Sequence, residues 1–315
     1  MNRGYDSPLY ILAFDHRTSF ERGLFGISDS ATVEQQQQMR EAKRLILDGL
    51  LEAKGVPRSS VGALVDEKHG AATAWRARSA GLMLAMCAET SSDPEFNFEY
   101  GEEFARHIDA FEPDFVKVLS RYNVEGDAEL NRRQADRLAR LSTWLADGRP
   151  RLLFELLVPP TPRHLTMFAE DADRYASELR PTLVVAAIKE LHDRGVEPDV
   201  WKVEGLESPG DCALIVDAAH AGGRTGVGCV VLGAGAPEDR VAHWLRQAAS
   251  VSGFTGFAIG RTIWWDALDQ WRRRTITSGE AVQRIARNYT RAADLYTEAA
   301  GFTDSSYNSC ERRSG

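Results

Sequence analysis

Lysine is nearly missing from this chain: six residues against 32 arginines in 315. Guanidinium stays protonated, whereas a primary amine can deprotonate and condense with a carbonyl, so the few amines retained mark places to look for chemistry. Basic charge as a whole is also short. The formal net charge is −8 and the pI about 5.5, which removes the clustered cationic footprint that nucleic acid or an anionic membrane surface demands. A few local cations would still hold a small anionic substrate. No apolar run approaches the roughly 20 residues of a membrane span, and Met1-Asn-Arg-Gly-Tyr-Asp lacks the apolar core of a secretory signal, so the expected location is the cytoplasm. Cysteine is scarce and unpatterned. Cys87, Cys212, Cys229 and Cys310 form no C-x-x-C pair and have no histidine at metal-ligand spacing, so they read as reduced thiols. Cys87 and Cys229 fall in apolar runs, where each serves as a small hydrophobe.

What is present is an alternation of short apolar runs with longer segments of helical spacing, the pattern of βα units. Strands are predicted at Leu9–Phe14, Val61–Val65, Leu82–Cys87, Phe115–Leu119, Leu152–Leu157, Val200–Val203, Val227–Leu232 and Phe254–Ile259. Helices are predicted near 33–54, 71–79, 99–111, 127–146, 171–193, 209–220, 237–249 and 262–273, with an extra C-terminal helix near 279–300. Ser28-Asp-Ser precedes the first as a cap, and Asp147-Gly148 ends the charged helix from Asp127. Eight such units, 43% apolar content and no low-complexity linker predict a single-domain α/β fold, a (βα)8 TIM barrel over 7–300, with a doubly wound open sheet as the alternative. Residues 303–315 read as a polar, disordered tail.

Two of the lysines occupy matching phrases, Glu112-Pro-Asp-Phe-Val-Lys117-Val and Glu197-Pro-Asp-Val-Trp-Lys202-Val, 85 residues apart. Placed on strands four and six, they would share one depth and one interior. Reactive groups of such barrels stand at the C-terminal strand ends, and these ends are polar: Asp15-His16-Arg17, Asp66-Glu67-Lys68-His69, Glu89, Lys117 with Arg121, Glu155, and Lys202 with Glu204. Burial among Val200, Trp201 and Val203, beside the second cation of Lys117, would favour the uncharged amine that Lys202 needs as a nucleophile. Glu155, alone in Leu152-Leu-Phe-Glu-Leu-Leu-Val, must be paired or protonated in so apolar a strand; between two lysines it can relay protons or merely neutralise them. The last two strands run into Gly233-Ala234-Gly235 and Gly260-Arg261, where bare amides, a helix N-terminus and one guanidinium suit a phosphate. His16 and His69, with Asp15, Asp66 or Glu89, leave a metal-dependent alternative, unsupported by H-x-H or H-E-x-x-H spacing; otherwise a histidine orients substrate. Trp264 and Trp265 fit helix-to-barrel packing.

Leu12-Ala-Phe-Asp-His-Arg17, Val65-Asp-Glu-Lys-His-Gly70, Phe154-Glu-Leu-Leu-Val-Pro-Pro160, Trp201-Lys-Val-Glu204 and Gly256-Phe-Ala-Ile-Gly-Arg261 reach across the strand ends. In them the chain resembles the class I barrel aldolases related to tagatose-1,6-bisphosphate and sulfofructosephosphate aldolases. It is most similar to the 2-deoxy-5-keto-D-gluconate 6-phosphate aldolase domain of myo-inositol catabolism, often fused behind a sugar kinase. The resemblance implies that Lys202 forms the Schiff base, that Glu155 is the general acid/base, and that Gly233 to Gly235 with Gly260 and Arg261 hold phosphate. It implies no cofactor and no metal. The implied substrate is a small phosphorylated keto sugar acid, cleaved to dihydroxyacetone phosphate and malonate semialdehyde. Lys117 joins the catalytic set; Glu155, directly or through the substrate phosphate, or Asp15 takes the C3 hydroxyl proton. Arg17, Lys68 and Arg121 are candidates for the cation facing the substrate carboxylate. No kinase half occurs here, so a functional link to a separate sugar kinase is expected, with a homo-oligomer an open expectation. Other phosphorylated ketoses, and a non-catalytic phosphosugar-binding or kinase-partner module, are the alternatives.

Overall fold

The repeated Glu-Pro-Asp phrase has a backbone cause. Asp114 takes the Leu84 amide with its carboxylate (2.8 Å) while its own amide donates to the Leu84 carbonyl (2.8 Å). Asp199 does the same one strand pair further on, with the Leu152 amide (2.8 Å) and carbonyl (2.9 Å). Each aspartate therefore fixes the start of its strand against the preceding strand. A lysine three residues later then arrives at a set height.

A computed structural model describes residues 4–146 and 150–301; the tail expected at 303–315, Cys310 and the Asp147-Gly148 stop lie outside the described residues. The strands are β1 (Leu9–Ala13), β2 (Val61–Val65), β3 (Met83–Cys87), β4 (Phe115–Arg121), β5 (Arg151–Leu157), β6 (Val200–Val203), β7 (Gly228–Leu232) and β8 (Phe254–Ile259). Each pairs in parallel with the next, and β8 returns to β1, closing a barrel without edges. The chain thus forms the expected (βα)8 barrel as one domain.

Around it run α1 (Val33–Glu52), α2 (Glu67–Ser79), α3 (Phe104–Phe111), α4 (Ala128–Leu145), α5 (Pro162–Met167), α6 (Ala172–Glu178), α7 (Arg180–Asp193), α8 (Pro209–His220), α9 (Glu238–Ala249), α10 (Arg261–Arg272) and α11 (Ser278–Ala299). The extra helix α11 packs against α1, α9 and α10. Some boundaries differ from the sequence pattern for local reasons. The segment expected to be helical from 71 starts at Glu67, because the Asp66 carboxylate accepts the His69 amide (2.7 Å) and caps α2 there. The segment expected as one helix over 171–193 is two, α6 and α7. Pro181 cannot donate within a continuing helix, and the chain restarts after Leu179 with proline in its first turn. The segment expected over 99–111 gives a short 3-10 turn and then α3. α5 was not expected; Thr161 caps it, with Pro162 at its first position.

Leu9, Ile11, Ala13, Leu64, Ala85, Phe115, Leu153, Val200, Val230 and Ala258 fill the barrel interior. Tyr5 closes it below, edge-on to Phe115 at 5.2 Å. Side chains two apart on a strand share a face. Two residues beyond this apolar plug therefore stand Asp15, Cys87, Lys117, Glu155 and Lys202, turned into the barrel above it.

Candidate active site

Lys117 is the hub of that upper layer. Its Nζ lies 2.9 Å from Asp15 Oδ2, 2.8 Å from Glu89 Oε1 and 3.0 Å from Glu155 Oε2. Lys202 Nζ donates to the same Glu155 Oε2 at 2.9 Å. The two lysines of the paired phrases thus meet at one carboxylate oxygen, and both are at least 96% buried, being 2% and 4% exposed. Glu204, the other acid weighed as a partner for Lys202, turns instead to the Val158 amide (3.0 Å) and Arg180 (3.2 Å).

Burial would strip the proton from Lys117, but Asp15, Glu155 and Glu89 outweigh it and hold its pKa well above the usual lysine value. Burial likewise raises the carboxyls, and here the cations decide. Lys117 and Lys202 keep Glu155 below its ordinary range, and Lys117, His16 and Lys202 keep Asp15 far below its own. Glu89 goes the other way: burial wins over Lys117 and Arg17, and its pKa rises. Charge counting agrees. Asp15 and Glu155 balance Lys117 and Lys202, and Arg17 is shared with Glu99 at 3.3 Å, which leaves Glu89 as the surplus acid. Its Oε2, with Arg17 Nε and His16 Nδ1, is buried without a hydrogen-bond partner among the described residues. In the sequence Glu89 stands among the polar strand ends, with metal ligation as the one role offered for it; its place two residues beyond the inward-facing Cys87 marks it as a member of this layer.

Above the cluster opens a pocket of about 360 Å³, lined among others by His16, Arg121, Ala234 and Arg261 as well as the charged groups. A larger cavity of about 580 Å³ lies on the outer flank of α1 and α2 and touches none of this chemistry. Two of its three arginines, Arg44 and Arg76, are already paired, both to Asp48. At the β7 and β8 ends, Arg261 donates to the Ala234 carbonyl (2.7 Å) and Thr262 Oγ1 to that of Ala236 (2.9 Å), tying the two glycine loops together. Gly235 has φ +75°, and a Cβ there would stand 2.7 Å from the Arg261 guanidinium carbon. At Gly260 the same atom would come within 2.3 Å of the Ala13 carbonyl. Gly260→Ala should therefore cost about 1–3 kcal/mol, read as a lowered Tm; an unchanged Tm would mean that β1 and β8 do not approach in this way.

Not every expected site residue converges here. Arg17 lines the pocket but is buried and bound to the Glu89 carbonyl (2.7 Å) and to both the Glu89 and Glu99 carboxylates, so most of its guanidinium braces the wall. Lys68 sits in the first turn of α2, half exposed, on Glu21 at 2.8 Å and outside the pocket lining. The metal alternative also disperses. His69 is bound to Glu21 (2.6 Å) and Asp66 to Lys43. Asp15, Cys87 and Glu89 do gather within 4.8 Å, yet the Lys117 ammonium already sits on both carboxylates. Trp264 is fully buried, and its indole donates to the Ala13 carbonyl (2.9 Å), the packing role expected of it.

A family profile described as "Uncharacterized protein conserved in bacteria (DUF2090)" matches residues 2–300. The chain belongs to that family. No curated protein matches it significantly. Among solved structures, this DUF2090 member is similar to the fructose-bisphosphate aldolase of Plasmodium falciparum, with TM-score 0.65 and 14% identity over 96% of this chain and 98% of that one. It is also similar to Cgl0159 of Corynebacterium glutamicum, with TM-score 0.56 and 16% identity over 92% and 88%. At such identities the likeness is one of fold. Among the described residues no helix is long and apolar enough to cross a membrane.

Proposed function

We propose that this protein is a class I aldolase, a carbon–carbon lyase that captures a phosphorylated ketone as a Schiff base on Lys202. One observation carries the reading: a single carboxylate oxygen, Glu155 Oε2, serves two buried ammoniums at 2.9 and 3.0 Å. Lys117 is held as a cation by three carboxylates. Lys202 can pass a proton to Glu155, leaving Asp15 to balance Lys117, and attack a carbonyl. Glu155 returns that proton to the hydroxyl leaving the carbinolamine, giving water and an iminium. An aldolase barrel of the same fold in another organism is consistent with this chemistry and does not by itself name a substrate.

The substrate we propose is 2-deoxy-5-keto-D-gluconate 6-phosphate. Its C5 ketone would condense with Lys202 while the adjacent C6 phosphate lies by Gly233–Gly235, Gly260 and Arg261, on the neighbouring strands. Asp15 or Glu155 takes the C3 hydroxyl proton, the C3–C4 bond breaks, and its electron pair enters the iminium as an enamine. Malonate semialdehyde departs; protonation at C4 and hydrolysis release dihydroxyacetone phosphate and the amine. With Arg17 and Lys68 engaged by carboxylates, the cation left for the substrate carboxylate is Arg121, whose guanidinium holds the Asp93 carbonyl (3.0 Å). A separate kinase reaction would supply the phosphate.

Mixing the protein with this substrate, beside tagatose bisphosphate and sulfofructose phosphate, and measuring dihydroxyacetone phosphate by coupled reduction tests both levels. Cleavage of a different ketose would move the substrate but keep the reaction; cleavage abolished by chelators would replace the mechanism. Arg261→Ala should raise KM for the phosphorylated ketone by about 10- to 100-fold, the worth of a charge-assisted hydrogen bond, with kcat little changed. Unaltered KM would move the phosphate elsewhere.

A further inference from the structure

We propose that Lys43, anchored by Asp66, is a positioning residue that sets the C-terminal end of β1 so that Asp15 and His16 face the reacting ketone. This rests on the aldolase reading. Lys43 belongs to α1, an outer helix, on the inward stripe of Met39, Ala42, Ile46, Leu47 and Leu50, and it is completely buried (0% exposed). An ammonium has three donors, and all three are used: on the Phe14 carbonyl, on the His16 carbonyl (2.9 Å) and on Asp66 Oδ1 (2.5 Å). Phe14 and His16 flank Asp15. The β1 ladder stops at Ala13, so the buried Phe14 carbonyl and the part-buried His16 carbonyl would otherwise lack a strand partner. The carbonyl before them, of Ala13, is taken by Trp264. From behind the barrel, side chains therefore hold carbonyls 13, 14 and 16, which leaves the Asp15 side chain to turn inward onto Lys117.

Asp66 is itself fixed, because its other oxygen caps α2 through the His69 amide (2.7 Å). The pair thus links α1, α2 and the end of β1 into one support. Only six lysines occur in the chain, and the three that are buried are Lys43, Lys117 and Lys202. Two stand in the pocket and the third stands behind it. A purely structural ion pair could give way to an apolar side chain with no change in turnover; a positioning one cannot, since a displacement of about 1 Å at a reacting group costs on the order of 100-fold.

The test uses Lys43→Met and the double variant Lys43→Met with Asp66→Asn, which removes both charges and leaves a side-chain oxygen to cap α2. In folded variants kcat should fall about 100-fold with KM for the phosphorylated ketone little changed. A second readout is the imidazole of His16, which faces Asp15 beside it, Lys43 from α1, Arg261 from α10 and Lys202 from β6; burial and these three cations hold its pKa at about 4. Removing Lys43 should raise it in an NMR titration. Folded variants with wild-type kcat and an unmoved His16 would overturn the proposal. Should neither variant fold, the wild-type Lys43 ammonium decides by nitrogen-15 NMR: slow proton exchange is expected, and a freely exchanging ammonium would sink the idea. If the wild type cleaves no phosphorylated ketone, the aldolase reading fails while His16 and the ammonium still judge the support.

Discussion

Replacing Lys202 with arginine should reduce turnover by about 10⁴-fold or more, the scale of losing a covalent nucleophile, while the phosphorylated ketone still binds. Guanidinium keeps the positive charge beside Glu155, which now sits 2.9 Å from the Lys202 nitrogen, but it cannot lose a proton and form an imine. The substitution therefore separates charge from amine chemistry. Lys202→Met removes both and should be equally inactive; it leaves Glu155 to Lys117 alone, at 3.0 Å. Steady-state kinetics with retained binding of the ketone would establish the result. Turnover above a small fraction of wild type in Lys202→Arg would move the nucleophile to another residue.

The second large effect is on stability. Lys117→Met should destabilise the fold by about 3–5 kcal/mol near neutral pH, because it strands Asp15, Glu89 and Glu155 as buried acids with one cation removed. The pH dependence carries the diagnosis. In the wild type the Asp15 and Glu155 carboxyls are depressed by Lys117 and Lys202 against the pull of burial. A carboxyl whose folded pKa is depressed contributes stability above its unfolded value, and that stability is lost as pH falls through the folded value. Without Lys117 the balance reverses. Burial then dominates, the carboxyls titrate above their unfolded values of about 4, and stability falls as pH rises from about 4 through the new folded values. Thermal melts across pH should show the variant closest to wild type in mild acid and furthest from it above neutral. A parallel pair of curves, offset equally at every pH, would show that Lys117 does not neutralise this cluster.

Much of this arrangement was legible in the sequence because a strand has period two and a barrel has an inside. Lys117, Glu155 and Lys202 each follow an inward apolar residue by two, and the duplicated Glu-Pro-Asp phrase announced that both lysines would reach one height. Its cause, the aspartate locking strand to strand, is a backbone bond that no side-chain pattern displays. Arg17 reaches the pocket already engaged and Lys68 stands outside its lining, for different reasons. Arg17 carries the right charge at the right strand end, but Glu89 and Glu99, distant in sequence, claim it. Lys68 belongs to a helix that begins earlier than its apolar spacing suggests, since Asp66 caps it. Lys43 is marked by the sequence too: it interrupts the apolar stripe of α1, where a charged residue needs a buried partner.

The most direct measurement is borohydride reduction of the protein in the presence of dihydroxyacetone phosphate, followed by intact mass and peptide mapping. The account predicts one covalent adduct, located on Lys202 and lost in Lys202→Arg. A wild type that gains no mass, or an adduct that maps to Lys117, would contradict it.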